Sequence, residues 1–243
     1  PKVVETSEGR IWQVEGSFLG SVASGGLTSL NEPYKPGISH RLDKMEELGF
    51  FSDAQMGKYH PTTPHLRKKD LEVDGLQGEV IYGILGFAAG FSDAKSGTLS
   101  PEVITAVYDI YNTWIADFCS SNPDQFAGLA CIASHDPQVA AKQLQRAAGL
   151  GLKGAEINVA VATKPIYHKD WDILWATAAE CKMPISFHTL GLPYRQPEPG
   201  TEEEYQWIDL GLLYSLFQLA GPEFLISILL SGACDRHPDF RFV

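Results

Sequence analysis

Residues 126–159 read FAGLACIASHDPQVAAKQLQRAAGLGLKGAEINV, and this stretch decides the fold. Phe126 to Ile132 is a short, almost wholly apolar run, the pattern of a strand buried on both faces. Asp136-Pro137 then opens a helix. The aspartate side chain accepts from free N–H groups of the first turn, and proline at the first helical position gives up an N–H that has no partner there. Val139, Ala140, Leu144, Ala147 and Ala148 fall on one side of that helix, which stops at Gly149. Lys153 to Val159 is a second strand. A helix between two buried strands is a crossover, and a crossover returns the chain for parallel pairing.

The same unit recurs on both sides. Upstream, Leu66 to Val73 reads as a helix ending at Asp74-Gly75, and Glu79 to Leu85 as a buried strand. Ser100-Pro101 starts a helix whose apolar stripe is Val103, Val107, Ile110, Tyr111, Trp114 and Phe118, closed by Asn122-Pro123. Downstream, Asp170 caps a helix bearing Trp171, Leu174, Trp175 and Ala178, and Met183 to His188 is a strand. A loop over 189–201, a helix over 202–219 and a short helix over 222–232 lead to a strand that opens at Phe240. Five strands alternating with helices leave two solutions, an open doubly wound sheet or a (β/α)8 barrel. No GxGxxG follows the first strand and no GxxxxGK[ST] occurs, so the nucleotide-binding open sheet has no support. No G-x-S-x-G marks a hydrolase nucleophile elbow.

Residues 1–65 read differently. Arg10 to Val14 alternates as a half-buried strand, and Gly20, Gly25 and Gly26 with their serines make a loop. Residues 1–30 are expected to form a β-rich flap or hairpin, anchored by Trp12, that adds no barrel strand. A short helix capped by Ser39 follows over 39–48. The expected organisation is an N-terminal flap and loop region at 1–65 and a partial (β/α) barrel domain at 66–243.

Composition narrows the function. The chain has 243 residues, 44% of them hydrophobic, enough for one sizeable core or two small ones. A formal charge of −11 repels a phosphate backbone and argues against nucleic acid. No run of 18 apolar residues exists, so no membrane span is expected, and no basic segment followed by an apolar run marks a signal peptide. Cys119, Cys131, Cys181 and Cys234 form no CxxC pair and read as buried thiols of a cytoplasmic protein. The chain opens at Pro1 without methionine, and Phe240 to Val243 reads as the opening of a strand. A fragment is therefore expected.

Sites of α/β proteins gather where strands end and loops begin. His188 ends an apolar strand before a long loop. An imidazole there binds a metal, acts as a base or holds an anion, or else serves as a core histidine donating to a carbonyl. Asn158, on the same strand as Glu156, is a candidate polar pocket residue. Arg195, in the loop after His188, is a candidate for bidentate pairing with a carboxylate. His60 and His65 flank a proline-rich loop and read as surface residues, as does His40. His135 and His237 read as structural, and His168 is open between the two roles. Tyr205, Trp207 and Tyr214 suit either a subunit interface or a core.

Several pieces together resemble the amidohydrolase family 2 branch of the metal-dependent amidohydrolases. They are Lys69 to Gly75 with Glu79 to Tyr82; Asn112-Thr113-Trp114, Phe118 and Pro123; Ala130 to Pro137; Leu150 to Gly154; Asp170-Trp171, Trp175, Pro184-Ile185 and His188; and Asp235 to Arg241. That branch includes aminocarboxymuconate semialdehyde decarboxylase and γ-resorcylate decarboxylase. The resemblance implies a distorted (β/α)8 barrel, incomplete in this chain, with one divalent metal, zinc or manganese. It implies decarboxylation, or sometimes hydrolysis, of a small carboxylated and possibly aromatic substrate by a homo-oligomer. It makes His188 a metal ligand. The family's H-x-H pair does not occur in this sequence, so the remaining ligands are expected outside it. The alternative expectation is a non-catalytic or truncated barrel fragment with a binding or scaffold role.

Overall fold

The computed structural model describes residues 2–7, 9–14, 16–21, 40–83, 99–159, 162–188 and 220–243. They fall into two compact units, residues 1–81 with 114–128, and residues 82–113 with 129–243.

The first unit opens with a three-stranded antiparallel sheet, β1 (Lys2–Thr6), β2 (Gly9–Val14) and β3 (Ser17–Ser21), in that order. Val3 lies opposite Trp12 and Val4 opposite Ile11. Gly16, at φ +86°, makes the turn into β3, a conformation that costs glycine nothing. The sequence suggested one extended stretch, at 10–14, in an otherwise irregular segment. The expected β-rich hairpin is there, as two tight hairpins that build three strands rather than one, and Gly20 belongs to β3 rather than to a loop. No strand of this sheet joins the parallel strands below.

Helices α1 (His40–Glu47) and α2 (Phe50–Gln55) follow, then a 3-10 turn at His60–Thr62 and α3 (Pro64–Asp74). Pro64 starts α3 and Gly75, at φ +70°, ends it, with Leu76 N–H donating to the Leu71 carbonyl at 2.9 Å. Arg67 on α3 forks onto Glu79 at 2.8 and 3.0 Å, tying the helix to β4 (Glu79–Ile81). β4 is parallel to the first half of β5 (Phe126–Ile132), with Glu79 opposite Phe126. The expected strand ran to Leu85; the described one stops at Ile81.

In the second unit the remainder of β5 pairs in parallel with β6 (Gly154–Asn158), and β6 with β7 (Ile185–His188). The crossovers are α5 (Pro137–Gly149) and α6 (Asp172–Cys181), while α4 (Pro101–Ser120) precedes β5. Asp136 caps α5 as the sequence required, Oδ1 accepting from Gln138 N at 2.7 Å and Val139 N at 3.2 Å. Ahead of α6 the capping differs. A 3-10 turn at Lys169–Trp171 intervenes, His168 accepts the Asp170 N–H at 3.3 Å, and Asp170 pairs with Lys164 instead of capping. After β7, α7 (Ala220–Leu230) and α8 (Ala233–Arg236) lead to the last residues. There Ile185 N donates to Arg241 O at 3.0 Å and Val243 N to Ile185 O at 2.9 Å, so the expected next parallel strand begins beside β7.

Ile132, Leu144, Ile157, Leu174, Trp171, Trp175 and Ile185 are fully buried. Trp175 stacks on Phe240 at 4.7 Å and meets Phe187 edge-on at 6.2 Å. The apolar stripe expected on α4 is rotated. Ile104, Val107, Tyr108, Tyr111, Ile115 and Phe118 are buried, whereas Ile110 and Trp114 face solvent.

β5 has an unusual edge above the part paired with β4. The Cys131 N–H donates to Asn112 Oδ1 at 2.8 Å, and its carbonyl accepts from Asn112 Nδ2 at 2.9 Å. Two residues on, the Ala133 N–H donates to Gln143 Oε1 at 2.9 Å. Side-chain amides from α4 and α5 therefore satisfy main-chain groups that β6 does not take.

Candidate active site at the strand ends

Side chains of a strand alternate between its two faces, and register partners in a parallel sheet share a face. Aromatic packing fixes which face is which: Phe187 meets Trp175 of α6, so Ile185 and Phe187 turn to the helices. The alternate positions form rows on the opposite face. Cys131, Glu156 and Ser186 make one row, and Asn158 lies one step further on, at the C-terminal end of the strands. Asn158 is buried on the last residue of β6 and lies directly opposite His188 in register. His188 thus has the place at a strand end that the sequence assigned to it; its backbone position is what the structure describes. Arg195 lies outside the described residues.

Glu156 is the residue the sequence reading passed over in favour of Asn158. Its carboxyl is buried, and Oε1 accepts the Gly83 N–H and the Cys131 thiol, the latter at 3.3 Å. Burial pushes its pKa up to about 7, against the lowering effect of those two donors. A carboxyl of that kind changes its protonation near neutral pH, which is the property acid–base chemistry uses. The signal in the sequence was a lone acid in an otherwise apolar strand. Tyr82 supplies a second polar group, its hydroxyl 3.0 Å from Ser186 Oγ. Gly83 is confined between them. A Cβ there would stand 2.5 Å from Cys131 Sγ and 2.7 Å from the Tyr111 ring.

The other histidines sort as follows. His60 is not a surface residue: it is 1% exposed, stacked on Phe50 at 3.9 Å, with Nε2 3.0 Å from Asp53 and Nδ1 2.8 Å from Asp70. His65 is exposed. His135 Nε2 lies 3.4 Å from Thr105 Oγ1, and its carbonyl accepts from Thr163 Oγ1 at 2.7 Å, which holds the loops after β5 and β6 together. His168 takes the structural one of its two readings, as the cap described above. His237 lies 3.7 Å from Asp172, which also receives the fork of Arg236. Among the described residues no three His, Cys, Asp or Glu side chains gather as a metal site. No helix of the described residues is long and apolar enough to cross a membrane.

Comparison with known proteins bears on residues 60–243, which match the model of the amidohydrolase family. γ-Resorcylate decarboxylase of Rhodococcus jostii is 29% identical over 142 residues, 54% of this chain and 42% of that protein. An amidohydrolase structure from Staphylococcus aureus superposes with a TM-score of 0.59 at 22% identity, covering 72% of this chain and 56% of that one. A 5-carboxyvanillate decarboxylase from Novosphingobium aromaticivorans, solved with bound manganese and 3-methoxy-4-hydroxy-5-nitrobenzoic acid, gives 0.56 at 19% identity over 85% of this chain and 53% of that one. The chain therefore spans about half the length, or less, of these relatives. At such identities the structural likeness is one of fold, and that fold is the partial (β/α)8 barrel expected from the strand–helix alternation.

Proposed function

The chain belongs to the amidohydrolase family, and on that premise we propose that it is part of a metal-dependent decarboxylase or hydrolase acting on a small carboxylated, aromatic substrate. The observation that carries this reading is the buried polar set Glu156, Ser186 and Asn158 at the C-terminal ends of parallel strands, with the backbone of His188 opposite Asn158 in register, inside the region the family model matches. The reactions named for the relatives, decarboxylations of hydroxylated benzoates, support the substrate class.

In this reading His188 is a metal ligand, Asn158 contacts the substrate, and Arg195 pairs with its carboxylate. The metal is zinc or manganese; manganese accompanies the 5-carboxyvanillate decarboxylase. The described residues do not complete a donor set: no three His, Cys, Asp or Glu side chains gather among them, whereas a catalytic site of this kind takes about three protein ligands, of which His188 would be one. The other donors belong outside the described residues. A bound metal supplies Lewis acidity toward the substrate carboxylate. Asn158, buried and rigid on β6, supplies an oriented amide, and Glu156 a group able to hold or release a proton. Residues 1–65 serve as a flap beside a barrel of 66–243, and the whole protein is a cytoplasmic homo-oligomer without nucleic-acid or membrane partners.

The test is made on the whole protein. Metal per subunit and release of carbon dioxide from 2,6-dihydroxybenzoate and 5-carboxyvanillate are measured for wild type and His188→Ala, with a circular dichroism melt on the same samples. The expected result is loss of metal and of turnover together at an unchanged melt. Equal metal content in both proteins overturns the ligand assignment. A wild type that holds metal yet neither decarboxylates nor hydrolyses benzoate-class substrates overturns the function.

A further inference from the structure

The row of Cys131, Glu156 and Ser186 holds an acid whose described partners are neutral. The Glu156 carboxyl is buried, and Oε1 accepts the Gly83 N–H and the Cys131 thiol. A protonated carboxyl suits such a place. An ionised one does not, because two neutral donors return less than the water an anion gives up. The cover over this carboxyl is one dipeptide. The ladder between β4 and β5 ends with Ile81 opposite Gly128, so Tyr82 and Gly83 lie past its last rung. Gly83 brings its main chain onto Oε1, and its carbonyl accepts from the Cys131 thiol at 3.7 Å. The seat has no room for a side chain: a Cβ on Gly83 would stand 2.5 Å from Cys131 Sγ.

We infer that Gly83 on Glu156 is a proton-operated latch: the Tyr82–Gly83 dipeptide is held against the row while the carboxyl keeps its proton, and it lifts to admit water when the carboxyl gives that proton up. The latch does not depend on the function proposed above. Its sign follows from burial. Closed, the acid binds its proton more tightly than it does in water, and its pKa is raised to about 7. Open, it returns toward its ordinary value of 4.5. Closure is therefore favoured in acid and weakens as pH rises through about 7. Among the described side chains, the other titratable groups around this seat are the Cys131 thiol on β5, the Tyr82 phenol, which lies 3.0 Å from Ser186 Oγ of β7, and the Tyr111 phenol of α4, whose ring borders Gly83. Ser186 and Asn158 do not titrate. No charged group stands among the causes of the shift.

Amide hydrogen exchange on the whole protein reads this directly. The peptide containing Tyr82 and Gly83 is followed at pH 6 and pH 8, corrected for intrinsic exchange, in wild type and Glu156→Gln. The glutamine keeps the shape and an accepting oxygen but cannot ionise, and it leaves Cys131, Tyr82 and Tyr111 in place. Protection in wild type should fall about tenfold from pH 6 to pH 8, the change expected when a closed-state pKa of about 7 meets an open-state value near 4.5, and the variant should show no fall. Wild type without a fall, or an equal fall in Glu156→Gln, overturns the latch. Urea below the unfolding transition separates local lifting from unfolding of the whole, because a local opening exposes little surface and responds little to urea. The fall at Tyr82–Gly83 should be unaffected by it; a fall that grows with urea in step with peptides of β5 and β6 is global unfolding and also overturns the latch. Gly83→Ala cannot take the closed seat, so this peptide should exchange fast at both pH values. Protection equal to wild type at pH 6 in that variant would show that the dipeptide is held elsewhere, and would overturn the latch.

Discussion

The Nδ1 atom of His60 lies 2.8 and 2.9 Å from the two carboxylate oxygens of Asp70, ten residues further along the chain. The pair fastens the 3-10 turn to α3, and both side chains are buried. Removing Asp70 leaves the buried Nδ1 of His60 without that carboxylate, with only its contact to Asp53 on the other ring nitrogen. Asp70→Ala should cost about 3 kcal/mol in urea unfolding. Lys44→Ala, which breaks an ion pair exposed by half on both sides, should cost less than about 0.5 kcal/mol. Equal losses in the two variants would show that burial is not what gives the histidine pair its weight.

Glu156 makes stability fall with rising pH. Its folded pKa, about 7, stands above the unfolded value, so the native state holds the extra proton between the two. The contribution is present in full below about pH 4.5 and is lost as pH rises through about 7. Glu156→Gln removes it. The variant should be more stable than wild type at pH 8, by up to about 3 kcal/mol, with the difference vanishing toward pH 4. Other carboxylates titrate equally in both proteins, so the difference between two sets of denaturant curves isolates this one group.

Asn112→Ala takes away a donor and an acceptor at once. The Cys131 N–H and carbonyl then each lose the bond that Asn112 makes, and each such loss in the core costs about 1–3 kcal/mol. A loss of about 3 kcal/mol or more is expected. Asn112→Asp keeps the acceptor only and should fall between the two. A loss below about 1 kcal/mol for the alanine variant would mean that the strand finds other partners.

Gly154 leaves no room for a side chain. An added Cβ would stand 2.9 Å from Leu129 Cδ2 and 2.9 Å from the Pro184 carbonyl oxygen, which accepts the Ala155 N–H. The leucine can shift, but the carbonyl cannot without disturbing the pairing of β6 with β7. Gly154→Ala should destabilise by about 1–3 kcal/mol in a thermal or urea melt, whereas Gly149→Ala, with open space around it, should be neutral or slightly stabilising.

What the sequence disclosed was local. Phe126 to Ile132 needs only its own apolar run to be a buried strand, and Asp136-Pro137 only its own side chain and missing N–H to start a helix. The stripe on α4 was harder. That helix is apolar on several sides, so periodicity admits more than one stripe, and the neighbouring elements chose Ile104, Tyr108 and Ile115 over Ile110 and Trp114. His60 looked like a loop residue because its partners, seven and ten residues away, come near only once α2 and α3 have folded. The same distance hid the Glu156 site. Gly83 is 73 residues from Glu156 and Tyr82 is 104 from Ser186, and no pattern within either strand announces the meeting. His188 could be placed at a strand end from its own flanks, because a strand and the loop after it are both local features.

The amides of Asn112 and Gln143 have one more effect. A strand whose main-chain groups face outward is a template on which another polypeptide can add, and such additions propagate into fibres. At Cys131 and Ala133 the template is already read by side chains of the same molecule. An added strand would have to displace these three hydrogen bonds in the buried interior before gaining any of its own, so the two side chains close this part of the strand to further pairing.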